Sequence, residues 1–118
     1  MYTETYNDKY SIFIGRSQEE NQGLVSKTKK TNQNALWFHV GNGLSSPHGI
    51  LIDKSKNTAT KYDKDAILRT ATLVKQYSKE SIKILHAVTV EYIPIKYIES
   101  TEVVGKVHLK KTPNKVIV

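Results

Sequence analysis

The sequence predicts an α+β fold: a single domain built on a mainly antiparallel mixed sheet with one principal helix packed on it. Three observations carry that expectation. Short segments rich in β-branched and aromatic residues, at 10–14, 36–40, 50–52 and 85–93, are each bounded by glycine, proline or polar turn residues. Only one segment, from Asp63 to Lys79, shows a broad helical stripe of apolar residues. At 118 residues the chain can bury one core and fold without metal or disulfide staples.

In chain order, residues 1–9 are polar with alternating charge and read as a loosely held lead-in, which leaves 10–118 as the domain. Tyr10-Ser11-Ile12-Phe13-Ile14 reads as a strand stopped by Gly15, with Arg16 just past its end. Segment 17–34 is polar, contains Lys27-Thr28-Lys29-Lys30, and reads as a loop or frayed helix. Leu36-Trp37-Phe38-His39-Val40 and Ile50-Leu51-Ile52 read as two strands joined through Gly41-Asn42-Gly43 and a turn in which Pro47 cannot continue a ladder. Because side chains alternate across a pleat, Leu36, Phe38 and Val40 share a core face, and Trp37 and His39 share a face with polar handles.

Residues 53–60 are almost wholly polar and read as an exposed connection. In the helix that follows, Asp63 is the expected N-cap and Asp65 complements the dipole in the first turn. Ala66, Ile67, Thr70, Ala71, Leu73, Val74 and Tyr77 form its buried stripe. Lys64, Lys75 and Lys79 fall on the opposite side, either as a phosphate-contacting ridge or as a solvated face. Residues 85–93 alternate as a strand ended by Pro94, and 95–100 read as a short turn or helix. After Gly105, a hairpin is expected to run through Thr112-Pro113-Asn114 to a return strand at 115–118. Lys106, His108 and Lys110 would project from one of its faces, with Lys111 at the tip. A lysine row with no acidic partner is locally unfavourable. That repulsion favours an anionic partner, although charged edge strands equally serve to prevent aggregation.

The 18 Lys and Arg outnumber the 11 Asp and Glu, giving a net charge of +7. A polyanion is therefore the first partner to consider. Residues 60–118 hold eleven basic and six acidic side chains against seven and five in 1–59, so the excess is concentrated in the second half. Arg16 and Arg69 are the only arginines. Lysine is a mobile point charge, better suited to phosphate contact than to reading base edges. There is no cysteine, no signal-peptide pattern and no apolar run of membrane-spanning length, so the expectation is a soluble, cytoplasmic protein without disulfides.

His39, His48, His86 and His108 lack metal-ligand spacing, and no phosphate-cradling glycine loop or nucleophile elbow is present, so neither a metal, a cofactor nor an enzymatic activity is expected. His39 and His48 can be core groups, or they can stack on an unpaired base and bond phosphate, with the Ser45 and Ser46 hydroxyls beside them as further donors.

Taken together, several of these segments resemble the NFACT-R domain, in the form of its stand-alone branch. The pieces are Trp37-Phe38-His39-Val40 followed by Leu44-Ser45-Ser46-Pro47-His48, Ile14-Gly15-Arg16 with Glu20-Asn21, Leu73-Val74-Lys75 with Ser78, Val90-Glu91-Tyr92-Ile93-Pro94, Gly105-Lys106-Val107 and Val116-Ile117-Val118. The similarity runs from about Tyr10 to the C-terminus. It departs at Ala35, where an acidic residue is common, and at Pro47, where a small residue is common. The resemblance implies RNA binding, with ribosomal or transfer RNA and the ribosome as partners, and it implies roles for Gly15, Arg16 and Asn21 in the turn after the first strand. The rival readings are a protein-interaction module docking on a ribosomal or other acidic protein, and a duplex DNA binder.

Overall fold

The computed structural model describes residues 1–55 and 61–118. Part of the exposed connection expected over 53–60 lies outside the described residues. Strands β1 (Tyr2–Tyr6), β2 (Tyr10–Ile14), β3 (Leu36–Val40), β4 (Gly49–Asp53), β5 (Thr89–Pro94) and β8 (Asn114–Ile117) form one sheet in the order β1-β2-β4-β3-β5-β8. Each of its pairings is antiparallel. The α+β class is therefore as expected, with a sheet that is antiparallel throughout.

The lead-in expected over residues 1–9 is instead an edge strand. Asn7 and Asp8 take φ of 53° and 54°, the left-handed turn conformation that Asn and Asp tolerate, and the chain reverses so that Tyr2 lies opposite Ile14. Arg69 then clamps the strand from above, donating from Nε and Nη2 to the two oxygens of Glu4 at 2.8 and 2.7 Å. That guanidinium holds the Glu4 carboxyl below its ordinary range.

Two helices of similar length pack on the sheet, where one principal helix was expected. Helix α2 (Lys64–Gln76) follows the anticipated stripe, burying Ala66, Ala71, Leu73 and Val74 against Tyr10, Ile12, Ile14, Leu36, Phe38, Val40 and Leu51. Asp63 is its N-cap, though without a side-chain cap bond, and Lys79 lies beyond its end, preceding the short helix α3 (Glu80–Lys83). Segment 17–34, expected as a loop or frayed helix, is the ordered helix α1 (Gln18–Thr31). Ser17 Oγ accepts from the Glu20 N–H at 3.1 Å, satisfying a helix-end donor, and Asn21, Leu24, Val25 and Thr28 repeat on one buried face.

That face covers the side of the sheet opposite α2. Trp37, Ile50 and Ile93 meet Leu24 and Val25 of α1 there, together with Ile95 and Ile98. Trp37 and its neighbours are thus core, and the face expected to carry polar handles is apolar over most of its length. At about 1.5–3 kcal/mol for each large apolar side chain buried, this second layer contributes on the order of 10 kcal/mol, comparable with the whole stability of a small domain.

The hairpin expected after Gly105 does not form. Strand β7 (Val107–Leu109) pairs with β6 (Ile98–Ser100) in a separate two-stranded sheet, whereas β8 returns to the main sheet beside β5. Burial explains the split, since Val107 and Leu109 pack on the Trp37 side and Val116 and Val118 on the α2 side. Nor is the basic row without acidic partners: Glu99 lies opposite His108 and pairs with Lys110 at 3.1 Å.

Two glycines test this packing in opposite directions. A Cβ at Gly49 would lie 2.7 Å from Val74 Cγ2 and 3.2 Å from Phe38 Cβ, whereas a Cβ at Gly23 inside α1 meets nothing within 4 Å. Urea unfolding of Gly49→Ala should show a loss of about 1–3 kcal/mol from overpacking. Gly23→Ala should gain about 0.5–1 kcal/mol from helix propensity.

Candidate nucleic-acid interface

The loop between β3 and β4 is held by its last residues. The backbone of His48 is gripped on both sides: its N–H donates to Asn21 Oδ1 at 3.1 Å, and its carbonyl accepts from Gly15 N–H at 3.0 Å. Gly15 must lack a side chain, because a Cβ there would collide with Asn21 Oδ1. The imidazole of His48 is 2% exposed and accepts at Nδ1 from the Trp37 indole N–H at 3.2 Å. Further along the loop, Ser46 Oγ accepts from Val40 N–H at 3.0 Å, and Asn42 and Gly43 turn the chain with φ of 61° and 70°.

His39 is half-buried, its ring parallel to the Trp37 indole at 5.5 Å and edge-on to His48 at 5.2 Å. Its Nδ1 lies 2.6 Å from the Val40 carbonyl. A carbonyl oxygen can only accept, so Nδ1 carries the proton and the neutral ring keeps Nε2 as an acceptor. Burial holds both imidazoles below their ordinary pKa, that of His48 down to about 3 with the neighbouring His39 as a lesser cause.

These groups floor a groove of about 520 Å³. One wall is the loop from Gly43 to Ser46, and the other is the turn of Val103, Val104, Gly105 and Lys106. Gly105, at φ of 80°, brings that turn against Gln18, where a Cβ would lie 3.2 Å from the Gln18 side chain. A second hollow of about 260 Å³ adjoins the first, sharing Gln18, Asn21, Ser45 and Ser46, and adds Arg16, Tyr77, Ser78 and Lys79. The Arg16 guanidinium sits 4.9 Å from the centre of the Tyr77 ring.

Of the candidate residues named from the sequence, the structure gathers Arg16, Asn21, His39, Ser45, Ser46, His48, Lys79 and Lys106 along these two hollows. Asn21 and His48 are buried there and serve to hold the loop. Lys64, Lys75, His108, Lys110 and Lys111 lie outside them. Lys75 donates to the Val118 carbonyl at 3.1 Å, and Lys111 reaches Tyr97, its Nζ 3.3 Å from the hydroxyl and 4.5 Å from the ring centre. Gln18, Leu44, Glu91 and Val104 line the groove without being among the candidate site residues named from the sequence. Glu91 enters because β3 and β5 place it directly opposite His39, a register invisible until the strands are paired. Among the described residues no group of three or more His, Asp or Glu is disposed to hold a metal ion, and no helix is long and apolar enough to cross a membrane.

An antiparallel sheet covered on both faces, with a polar groove edged by Arg16, Lys79 and Lys106, defines a small basic domain whose exposed chemistry suits an anionic partner. The family model of the NFACT protein RNA binding domain matches residues 1–111, and the chain belongs to that family, which is an RNA-binding one. No curated protein matches it. The fold is also that of the C-terminal part of the fibronectin/fibrinogen-binding protein from Streptococcus suis, with a TM-score of 0.80 at 20% identity. That match covers 98% of this chain and 44% of the other, so the chain spans less than half the length of that structure.

The buried imidazoles make stability depend on pH. His48 is neutral in the native chain down to about pH 3, whereas an unfolded histidine takes up its proton near 6.5. Between those values the unfolded chain binds more protons, so stability is full above pH 6.5 and falls on acidification by about 1.4 kcal/mol per pH unit. His39, also depressed, adds to the slope. Urea titrations between pH 6.5 and 5 should show this loss, and His48→Asn, which keeps an acceptor for Trp37, should flatten it by about one proton.

Proposed function

We propose that this domain grips RNA by its phosphates along the double groove, with Arg16 and Lys79 at one end and Lys106 at the other. The observation that carries this reading is the contiguity of the two hollows across Ser45 and Ser46. All three cations are exposed, and none forms an ion pair among the described residues. Hydroxyls and backbone donors between cations are the groups that position a sugar–phosphate chain. Single-stranded RNA suits a groove with ring systems in its floor, since unpaired bases can leave the stack. Ribosomal or transfer RNA on cytoplasmic ribosomes, in the quality control of translation, is the target and setting that the family resemblance favours. Lys64, His108, Lys110 and Lys111 would then be outlying contacts on a larger RNA.

Binding of a fluorescent single-stranded RNA, followed by anisotropy from 50 to about 300 mM salt, tests this directly. The affinity should fall linearly on a log–log plot, by a slope of about 0.7 for each phosphate engaged. Arg16→Glu, Lys79→Glu and Lys106→Glu combined should weaken binding by 10-fold or more and lower that slope by about 2, whereas Lys61→Glu should change little. Equal competition by duplex DNA would favour a duplex binder. Co-sedimentation with ribosomal subunits that ignores both salt and the substitutions would favour a protein contact.

A further inference from the structure

The larger hollow has features that phosphate contact does not use. Leu44, Val103 and Val104 line it at 42%, 55% and 44% exposure, three of the eight exposed large apolar side chains among the described residues. Apolar walls exposed to water within one groove favour an apolar, flat occupant. The floor is the parallel pair of Trp37 and His39, a platform already stacked in register. At its end lies the half-buried Glu91, whose side chain runs over Gly41 with Cγ 3.2 Å from where a Cβ there would stand. No cation or hydrogen-bond donor pairs with that carboxylate among the described residues, although Lys115 stands opposite it on β8. A carboxylate repels a phosphate, so this end of the groove is built for a neutral group rich in donors.

His39 narrows the choice. It stands directly opposite Glu91 across β3 and β5, where Cβ atoms lie about 4.5–5.5 Å apart. With Nδ1 committed to the Val40 carbonyl, the neutral imidazole offers only an acceptor, as the carboxylate does. Among the four common bases, guanine alone presents two adjacent donors, N1–H and N2–H, on its Watson–Crick edge. Adenine and cytosine offer one amino group beside an acceptor, and uracil offers one N–H between two acceptors.

We propose that the groove between the 41–48 loop and the 103–106 turn holds one unstacked guanine of a single-stranded RNA, its Watson–Crick edge on Glu91 and its ring among Leu44, Val104 and His39. This rests on the RNA-binding reading above and adds base selectivity to it. The cations then serve the backbone on either side: Lys106 at the wall, and Arg16 and Lys79 in the adjoining hollow, take the phosphates flanking the inserted base.

The test uses labelled dodecamers of uridine carrying one central guanosine, inosine or adenosine, followed by anisotropy. Inosine keeps N1–H and lacks only the N2 amino group. A bidentate base contact is worth about a 10-fold preference, so the guanosine strand should bind roughly 10 times tighter than the inosine strand. In Glu91→Gln the ratio of guanosine to inosine affinity should collapse towards one. Reading a ratio within each protein cancels the general gain from removing a negative charge. Glu91→Asp, whose shorter carboxylate cannot reach the same two donors, should also lower the ratio, which keeps the test open if Glu91→Gln fails to fold. A ratio near one in the wild type, or an unchanged ratio in both variants, overturns the guanine site and leaves phosphate binding standing. Guanosine monophosphate competing as well as the oligonucleotide would overturn the assignment to RNA. Failure to bind any of these strands at low salt would overturn both readings.

Discussion

The grip on the His48 peptide is the constraint on which the rest depends. The two amides that flank His48 are both held, the one before it through the His48 N–H by Asn21 of α1 and the one after it through the His48 carbonyl by Gly15 at the end of β2. Three elements meet there, and a side chain at Gly15 would place its Cβ against Asn21 Oδ1, the acceptor of one of the two bonds. Because the next residue begins β4, fixing these two amides fixes both the register of the β3–β4 pair and the base of the long loop between them. Trp37 closes the arrangement from the sheet side by donating to the His48 ring. A buried indole N–H and a buried imidazole each cost a few kcal/mol if left without a partner, so the pair is stable only together. Burial within this arrangement, with His39 as a lesser cause, keeps His48 neutral.

Much of the sheet is legible in the sequence because its strands obey simple alternation. Tyr10–Ile14, Leu36–Val40 and Gly49–Asp53 stand close to where the pattern of β-branched and aromatic residues puts them, and the stripe from Ala66 to Val74 marks α2. What fails is the assumption that polar means unstructured. In α1 only four residues are buried, and Asn21 and Thr28 are two of them, so its apolar stripe is too thin to read. The signal that is present is Ser17-Gln18-Glu19-Glu20, the spacing of a capping box. In β1 the alternation of Tyr2, Glu4 and Tyr6 with Thr3 and Thr5 ends at Asn7-Asp8, a turn pair, but its core face is only the partly buried Tyr2 and Tyr6 on either side of a charged Glu4, too thin to announce a strand.

The chain after Gly105 shows a deeper limit. Its alternation is visible in the sequence, since Val107 and Leu109 face inward while Lys106, His108 and Lys110 face out. Its partner is not. Adjacent strands usually pair, yet here the apolar residues of β7 belong to the layer over Trp37, and those of β8 to the layer under α2. Only the existence of two cores, one on each face of the sheet, separates them. The partner strand β6 brings Glu99 with it, and a basic row that looks unrelieved in the sequence becomes a paired one.

That outcome bears on how a basic sequence should be turned into a binding surface. A net charge of +7 says that some cations are in excess, but not which. Folding sorts them. Arg69 is spent on Glu4, Lys110 on Glu99 and Lys75 on the C-terminal carbonyl, whereas Lys111 lies over Tyr97. Arg16 leans on the Tyr77 ring, which orients the guanidinium without neutralising it, and Lys79 and Lys106 stand at the edges of the hollows. A cation already satisfied gains little by exchanging its partner for a phosphate, because desolvation and the lost pair offset the new contact. One held in place but unpaired gains nearly the full interaction. On the proposed reading the phosphate contacts fall to cations without an acidic partner: Arg16, Lys79 and Lys106 lie around the loop held at His48, whereas Lys96 and Lys111, both over the Tyr97 ring, lie apart from it.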